Sequence, residues 1–370
     1  MKKIIIFSNT SWSLYNFRKN LISELLKKNY KVIILSNKDR TTKKLQKMGC
    51  VFHSISLERR GVKIISEFYL LLKIYLIIRK ISPDVIFNFT IKPIIYGSLV
   101  SRILKIRTLN TLDGLGASYE INIFKRGILN FMLNLSQKKV EKFFFVNSFD
   151  LNFFVNKKFV NKKKAVLING TGIDLSFFKY KKNIIQGKIK FLLISRLLYS
   201  KGVIDYLNTA KILTKKFRRK CSFSIAGIIE KNIKDSIPVS LMNRFVKNPD
   251  IHISYNETNI KKLLYKTNCV VLPTKYNEGL PKSLLEAASV GRPIISSNVP
   301  GCLRIAKNNY NALIYDKKRP QDLVKCITKF ILMKKNKKLD MSLNSCKVAK
   351  KFDDKKIILR YIRFLYEKKK

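Results

Sequence analysis

The residues best suited to chemistry lie in residues 269–301, CVVLPTKYNEGLPKSLLEAASVGRPIISSNVPG. An apolar strand that ends at Pro273 precedes a polar loop, and Pro281 suits the first turn of the helix that follows. A helix that begins at the carboxyl end of a parallel strand offers free backbone N–H groups and a positive dipole end to an anion. The segment therefore predicts a phosphate site.

Two glutamates accompany this phosphate site. Glu278 lies in the loop, and Glu286 lies on the helix eight positions later. A carboxylate two turns into such a helix can accept hydrogen bonds from sugar or ribose hydroxyls, while the loop carboxylate would face the open cleft. The spacing alone is equally compatible with two surface glutamates.

A second group of charges lies in residues 191–203, FLLISRLLYSKGV. We predict that the strand ends at Ser195, so that Arg196 and Lys201 fall in the following loop, with Gly202 at the turn. Arg can bind a diphosphate through two parallel hydrogen bonds, and Lys acts as a point charge. The two cations could neutralise a diphosphate in place of a divalent metal, since the sequence contains no convincing metal-carboxylate motif.

The elements that would position these residues are short, contiguous apolar runs, typical of strands buried on both faces. They are residues 4–7, 32–35, 85–89 and 143–146 in the first half, and 191–194, 223–226, 251–254, 270–272 and 294–296 in the second. Helical segments such as 16–28 and 62–80 separate them. This alternation predicts an α/β fold of two Rossmann-like, doubly wound domains that face a cleft.

We assign residues 1–178 to an N-terminal domain and residues 188–350 to a C-terminal domain. The polar stretch 179–188 is the best linker candidate. Residues 351–370 carry apolar side chains at helical spacing behind the cap candidates Asp353 and Asp354. This C-terminal helix is predicted to pack back towards the N-terminal domain.

The charge of the chain raises a different class of function. With 76 basic and 23 acidic residues the formal net charge is +53, which is compatible with a protein that binds nucleic acid or another polyanion. The charge is spread over both halves, however, and no pure basic run exceeds three residues. This dispersion favours solvated surface lysines, and we predict no specific nucleic-acid partner.

Cysteine and histidine usage excludes other chemistry. The six cysteines form no C-x-x-C pair, and the two histidines, His53 and His252, stand far apart, so that zinc and iron–sulfur sites and His-based triads are not expected. The apolar run at the N-terminus is too short for a signal peptide, and no transmembrane helix is expected. We therefore expect a cytoplasmic protein.

Four motifs together resemble one known family. They are SRLLYSKG with Arg196 and Lys201, NEGLPKSLLEA with Glu278 and Glu286 as an E-x7-E element, Pro300-Gly301, and NGTGIDLSFF at residues 169–178. In this combination and order the chain resembles the retaining glycosyltransferases of family 4, which have the GT-B fold. Each motif alone is weak, but the set covers nearly the whole chain.

The resemblance implies a role for each donor-side residue. Arg196 and Lys201 would bind the donor diphosphate, Glu286 the nucleotide ribose, and Glu278 with the amides of Gly279 and Leu280 the donor sugar. Three further candidates on the donor side are Ser195, Lys282 and Ser283. The donor would be a nucleotide-sugar, with UDP the usual nucleotide and GDP the alternative.

In the N-terminal half, SNTSWSLYNFR, FTIKPIIYGSL and LDGLG resemble the subgroup that builds bacterial polysaccharides and lipid-linked oligosaccharides. By that resemblance the acceptor side would be lined by Asn9, Ser11, Arg18, Thr90, Lys92, Asp113 and Gly114, each of which could instead be a structural loop residue. The acceptor would be an undecaprenyl-diphosphate-linked saccharide, the alternative being a soluble acceptor.

Two departures from the family pattern concern the loops. Many members have a glycine-rich first loop where this chain has residues 8–12, SNTSW, and many have an acidic residue shortly after Pro-Gly where this chain has Arg304. Neither change removes the cations or the glutamate pair. The departures make acceptor choice, rather than activity, the open question.

The resemblance also implies a mechanism. The family retains anomeric configuration, and the sequence shows no nucleophile with a paired base. We therefore expect a front-face displacement in which the leaving diphosphate takes the acceptor proton, with no cofactor and no metal ion.

Residues 124–139, FKRGILNFMLNLSQKK, form a basic amphipathic segment that could lie on an anionic membrane surface. The alternative is an ordinary helix that packs on the sheet. The first reading would place the protein on the inner face of the cytoplasmic membrane.

Overall fold

The computed structural model describes residues 1–57, 64–115, 123–230, 233–276 and 278–367. These residues fall into two compact units. The first comprises Met1–Thr171 together with the segment that begins at Asp354, and the second comprises Gly172–Asp353.

The first unit is built on a parallel sheet. Its described strands are β1 (Lys3–Thr10), β2 (Lys31–Asn37), β3 (Val51–Ser54), β4 (Val85–Phe89), β5 (Arg107–Leu112), β6 (Lys142–Phe145) and β7 (Ala165–Leu167). They are arranged in the order β3-β2-β1-β4-β5-β6-β7. The order reverses between β1 and β4, which is where open α/β sheets bind ligands.

Seven described helices belong to this unit. They are α1 (Ser11–Lys27), α2 (Thr42–Lys47), α3 (Ile64–Ile81), α4 (Ile91–Ile103), α5 (Ile123–Ser136), α6 (Ser148–Asn156) and α14 (Asp354–Tyr366). Alternate residues of β1 enter different cores: Ile4 and Ile6 pack on one face of the sheet, and Ile5 and Phe7 on the other. This period of two explains why the strand reads as a contiguous apolar run.

The C-terminal helix α14 packs on the first sheet. The ring of Tyr361 lies 4.6 Å from that of Phe144 and 6.1 Å from that of Phe87, centroid to centroid. Its hydroxyl hydrogen-bonds the hydroxyl of Thr111 at 3.0 Å. Of the two cap candidates, Asp354 is the first residue of the helix and Asp353 precedes it.

The second unit repeats the architecture. Its described strands are β8 (Ile189–Arg196), β9 (Cys221–Ile228), β10 (Ile251–Tyr255), β11 (Cys269–Leu272), β12 (Ile294–Ser297) and β13 (Ala312–Tyr315), all parallel. Their order is β10-β9-β8-β11-β12-β13, which reverses between β8 and β11. The helices of the unit are α7 (Val203–Lys216), α8 (Val239–Asn243), α9 (Ile260–Tyr265), α10 (Lys282–Ser289), α11 (Pro300–Leu303), α12 (Asp322–Leu332) and α13 (Lys335–Ala349).

The stretch 179–188, our linker candidate, lies within this second unit. The side-chain amide of Asn183 donates to the carbonyl oxygen of Asn268 at 2.9 Å, and Asn268 donates back to Asn183 at 3.0 Å. Tyr180 packs against Gly291, and the Lys181 amide donates to Val290. Buried side-chain hydrogen bonds, which a polar composition does not reveal, fix this segment to the unit.

Three local boundaries differ from the sequence-based ones. β8 continues through Arg196, because Arg196 pairs with Ile228 in the sheet. Pro281 is the N-cap of α10 rather than a residue of its first turn. The first helix begins at Ser11 rather than Asn16, because the Thr10 hydroxyl accepts from the Ser13 amide at 3.2 Å and caps it.

Candidate active site

The donor-side candidates gather where β8 and β11 end, at the reversal point of the second sheet. A short 3-10 turn, Tyr199–Lys201, follows β8 and places Lys201 ahead of α7. The amides of Lys275 and Tyr276, in the loop after β11, donate to the carbonyl oxygen of Ser200 at 2.8 and 3.1 Å. These bonds join the two loops and bring Lys201 to the loop that carries Glu278.

Lys201 and Glu278 form an ion pair in which Lys201 Nζ donates to Glu278 Oε1. The hydroxyl of Thr274 donates to the same carboxylate oxygen at 3.2 Å. The ammonium group also lies over the Tyr276 ring, 4.4 Å from its centroid. The pair is therefore held from two sides, and the carboxylate orients the cation before any ligand arrives.

Two glycines allow the loops to approach this closely. A methyl group on Gly202 would come within 2.0 Å of the Pro273 carbonyl oxygen, and one on Gly301 within 2.2 Å of the Glu278 carbonyl oxygen. Gly202 also has φ 71°, the left-handed region that favours glycine. The glycines of SKG and Pro-Gly are therefore required by the packing of the loops on which Lys201 and Glu278 lie.

Arg196 is the more open of the two predicted diphosphate ligands. Its Nη1 lies 3.7 Å from Glu230 Oε1, and its side chain is half exposed. Ser195 precedes it on β8 and pairs with Gly227 of β9. Both residues thus lie at the carboxyl end of a central strand, where a ligand can reach them.

The remaining donor-side candidates surround the start of α10. Gly279 and Leu280 precede its N-cap Pro281, and Lys282 and Ser283 are its first two residues. Glu286 is buried on the same helix, and Lys282 Nζ lies 3.7 Å from its Oε1. Burial raises the pKa of Glu286, and Lys282 partly offsets that effect. The helix start therefore combines backbone N–H groups, a cation and a carboxylate that is costly to ionise.

On the acceptor side, a hydrogen bond joins the end of β1 to the residue that follows β4. The backbone amide of Asn9 donates to Thr90 Oγ1 at 3.3 Å. Thr90 has φ 73° and ψ 156°, a conformation that is unusual for a β-branched residue. Buried Asn9 Oδ1 has no hydrogen-bond partner among the described residues. Strain and an unsatisfied oxygen at the reversal point of a sheet are typical of a ligand site.

Two further acceptor-side candidates are held by carboxylates. Arg18 is buried, pairs with Asp113 beyond β5 and stacks on Phe89 with its guanidinium carbon 4.4 Å from the ring centroid. Lys92 in the first turn of α4 lies 2.6 Å from Glu67 of α3. Gly114, with φ 142°, follows Asp113. These residues line the carboxyl ends of β4 and β5.

The hydroxyl of Ser11 is held by other elements of the first unit. It is fully buried, and its hydroxyl interacts at 3.0 Å with Ser36, Asn37 and Thr42. All of these partners belong to β2 and α2. The structure therefore gives Ser11 a part in joining α1 to its neighbours.

Sequence reasoning missed side chains that contact the predicted residues, among them Thr274, Tyr276 and Glu67. Thr274 and Tyr276 contact the Lys201–Glu278 pair. Glu67 accepts from both Lys92 and Tyr96. A search of every loop that follows a strand would have found Thr274 and Tyr276, but Glu67 lies on a helix and gives no signal in the sequence.

No helix in the described part of the chain is both long and apolar enough to cross a bilayer. Within the described ranges, no group of three or more His, Cys, Asp or Glu side chains is placed to hold a metal ion.

Two glycosyltransferase sequence families match the chain. Residues 3–147 match the family described as "Glycosyl transferase 4-like", and residues 176–348 match "Glycosyl transferases group 1". The chain therefore belongs to the family 4 type of glycosyltransferases, with the GT-B fold of two Rossmann-like units. It is a glycosyltransferase, as the motifs predict.

Relatives of known sequence support this assignment. The chain is 27% identical over 386 aligned positions to the N,N'-diacetylbacillosaminyl-diphospho-undecaprenol alpha-1,3-N-acetylgalactosaminyltransferase of Campylobacter jejuni, covering 99% of this chain and 98% of that one. It is 22% identical to the UDP-Gal:alpha-D-GlcNAc-diphosphoundecaprenol alpha-1,3-galactosyltransferase of Escherichia coli, over 78% of this chain and 76% of the relative.

Among solved structures, Alr3699/HepE of Anabaena in complex with UDP and glucose superposes over all of both chains with a TM-score of 0.79 at 14% identity. A glycosyltransferase from Rickettsia africae covers 98% of this chain and 97% of its own with a TM-score of 0.76 at 16% identity. These likenesses confirm the predicted fold.

Proposed function

We propose that this glycosyltransferase moves a hexose or N-acetylhexosamine from a UDP-sugar to an undecaprenyl-diphosphate-linked saccharide, with retention of configuration, in the synthesis of a surface polysaccharide or glycan. The names of the Campylobacter and Escherichia relatives support the lipid-linked acceptor. The Lys201–Glu278 pair at the reversal point of the second sheet carries the proposal, because it places a cation and a carboxylate where a sugar diphosphate would bind.

The second unit would bind the donor. Arg196 and Lys201 would neutralise the diphosphate, which is why we propose that the reaction needs no metal ion or other cofactor. Glu286 would accept hydrogen bonds from the ribose, and Glu278 with the amides of Gly279 and Leu280 would contact the sugar. Lys201 would exchange part of its contact with Glu278 for the diphosphate, freeing the carboxylate for a sugar hydroxyl.

In the reaction, the bond between the anomeric carbon and the diphosphate oxygen breaks as the acceptor oxygen forms its bond on the same face. The departing diphosphate oxygen takes the acceptor proton. Arg196, Lys201 and the N-terminus of α10 stabilise the negative charge that grows on the leaving group. No side chain needs to act as a covalent nucleophile.

The first unit would bind the acceptor at the ends of β1, β4 and β5. Asn9, Thr90, Lys92, Asp113 and Gly114 are the residues we propose for this contact. The segment 124–139 would bring the protein to the inner face of the cytoplasmic membrane, where a lipid-linked acceptor is found. α5 carries Phe124 and Phe131 on its exposed side, which supports this role.

The experiment is thermal stabilisation by UDP, GDP and their sugars, with double-stranded DNA as a comparison. A ligand that binds only the folded state raises Tm by mass action. We expect a rise with UDP and UDP-sugars and none with DNA. A rise with GDP alone would overturn the choice of nucleotide, and a rise with DNA alone would favour a polyanion-binding protein.

Three variants test the roles of the site residues. Glu286→Ala and Arg196→Ala should weaken the stabilisation by UDP-sugar, whereas Glu278→Ala should lower turnover more than donor binding. Unchanged binding and turnover in all three would contradict the donor site. Transfer to a soluble saccharide, with none to a diphospholipid-linked one, would favour a soluble acceptor.

A further inference from the structure

The outward face of α3 is apolar, although it is exposed. Phe68, Leu72 and Leu76 are spaced four residues apart and form one stripe, and Tyr69 adjoins them. The opposite face of the helix is the one that packs on the sheet, with Ile74 and Ile78 fully buried. A surface helix normally keeps its outward face polar, so that the apolar outward face of α3 is unusual.

α5 shows the same feature. Phe124, Ile128, Phe131 and Leu135 follow helical spacing on its exposed side, while Leu133 is buried. Both helices contact α4, and all three contribute to the core on the same face of the first sheet. The first unit therefore carries two exposed apolar stripes on one layer of helices. In the second unit, by contrast, the exposed apolar side chains are scattered among many elements.

The exposed charged residues of α3, α5 and the turn Gln137–Lys139 have one sign. α3, α5 and the turn Gln137–Lys139 contain seven basic residues, all exposed: Lys73, Arg79, Lys80, Lys125, Arg126, Lys138 and Lys139. Glu67 is the one acidic residue in these segments, and it faces inward to Lys92 and Tyr96. A second copy of the chain would oppose like charges across a two-fold axis, whereas an anionic bilayer would neutralise them.

The most exposed apolar side chains lie towards the beginnings of the two helices. Phe68 is 72% and Phe124 75% exposed, and each lies within the first two turns of its helix. In a parallel sheet the connecting helices run opposite to the strands, so that both helices begin at the carboxyl edge of the sheet. That edge carries Thr90 and Lys92, and Lys92 is bonded to Glu67, the neighbour of Phe68.

We propose that α3 and α5 together form a docking surface for an anionic bilayer, with the beginnings of both helices inserted beside the acceptor edge of the first sheet. α3 is thus a second membrane contact in addition to the segment 124–139. The consequence for acceptor binding rests on the proposed function. Through Glu67 the docked helix holds Lys92 beside the lipid surface, where the head group of a membrane-bound acceptor arrives.

The test is co-sedimentation with vesicles of phosphatidylglycerol and phosphatidylcholine, against vesicles of phosphatidylcholine alone. The double variant Phe68→Ser, Leu72→Ser should lose about tenfold or more of its partition to the anionic vesicles, and Phe124→Ser, Phe131→Ser should lose a similar amount. The matched control is Ile212→Ser, Leu332→Ser, which removes two exposed apolar side chains from the second unit and should bind like wild type.

A second measurement reports insertion directly. The chain has one tryptophan, Trp12, so that Phe68→Trp in a Trp12→Phe background places a single reporter on α3. Brominated lipids in the anionic vesicles should quench this reporter, and should leave Ile212→Trp in the same background unquenched. This readout separates loss of docking from loss of folding, because it is made on protein that retains its aromatic stripe.

Three results would overturn the proposal. They are wild-type binding by the α3 variant, equal binding to neutral and anionic vesicles, and a stable lipid-free dimer that the same substitutions dissociate. Stabilisation by UDP-sugar should be unchanged in every α3 variant. A failure of docking therefore leaves donor binding intact, whereas a failure of the proposed function removes donor binding from wild type as well.

Discussion

Two of the ion pairs among the predicted site residues, one in each unit, differ in how far their partners are exposed. In the first unit the side chain of Arg18 is 3% exposed and that of Asp113 36%, whereas in the second unit Lys201 and Glu278 are 9% and 12% exposed. Arg18 is further enclosed by Phe89. Burial raises the pKa of Tyr361 of α14, and Arg18 lies close enough to that phenol to offset part of the rise. The first unit therefore presents a carboxylate, held from behind by a buried cation.

In the second unit both charges are largely covered, but they lie in loops rather than in the core. Lys201 and Glu278 belong to two loops that Ser200 and Thr274 hold together, and Tyr276 covers the ammonium group. A pair built from loops can exchange partners when a diphosphate arrives, whereas a pair that is packed into a core cannot. The comparison favours a positioning role for Arg18 towards Asp113, and it fits our proposal that Lys201, together with the more open Arg196, contacts the donor diphosphate.

The largest expected effect is on turnover, and it comes from Lys201. Lys201→Met should lower the transfer rate about 100-fold or more, because it removes a preorganised charge that, as we propose, stabilises the leaving diphosphate. Initial rates with the UDP-sugar that stabilises the protein would measure this loss. The control is Lys275→Met, in the same segment, whose ammonium group pairs with Asp205 at 2.8 Å and which should stay within about twofold of wild type.

A turnover loss in Lys275→Met as large as that in Lys201→Met would break the comparison, because the rate would then depend on the charge of the loop as a whole.

Sequence reasoning located strand ends because the apolar pattern that marks a buried strand is local in the sequence. Contiguous apolar runs such as residues 85–89 are buried on both faces of a sheet, and the observed β4 has the same bounds. β5 was missed because buried polar residues interrupt it. Asn110 in that strand is satisfied by hydrogen bonds to Asn88, Ser98 and Gln137, which come from other elements.

The ion pairs are harder to predict because they join residues distant in sequence. Arg18 and Asp113 are 95 positions apart, and Lys201 and Glu278 are 77 apart. The motifs named these residues without indicating which carboxylate meets which cation, or which partner is buried. The exposure of each partner in these ion pairs depends on the packing of α14 and of the loop glycines. That exposure in turn distinguishes a residue that positions its partner from one that can contact a ligand.

The second prediction concerns the free energy of unfolding. Here the variant in the first unit should have a larger effect than the variant in the second, the opposite of the order expected for turnover. Arg18→Met should lower the free energy of unfolding by about 2 kcal/mol, because it removes the partner of Asp113 and the stacking on Phe89 while keeping an apolar stem. Lys201→Met should cost less than Arg18→Met, because Glu278 keeps the hydrogen bond from Thr274 and the lost contact joins two loops rather than core elements. Urea denaturation of both variants would measure the difference, with the exposed neighbour Lys19→Met as the control.

Equal destabilisation by Arg18→Met and Lys201→Met would contradict the assignment of a structural role to Arg18 alone.

The smallest expected effect is on the pH dependence of stability, and it comes from Glu286. This residue adds a third case to the comparison, because its carboxylate is buried and the ammonium group of Lys282 lies 3.7 Å away. Burial raises its pKa in the folded state above that in the unfolded chain. Between those two pKa values the folded protein binds more protons, so that its stability falls as pH rises, and above the folded pKa the loss is constant.

Glu286→Gln has no such loss of stability. Its Tm should therefore exceed that of wild type at neutral pH, and the excess should shrink as the pH falls towards the unfolded pKa. Thermal melts across this range would measure the excess, and a Tm difference that grows on acidification would show that Lys282 outweighs burial.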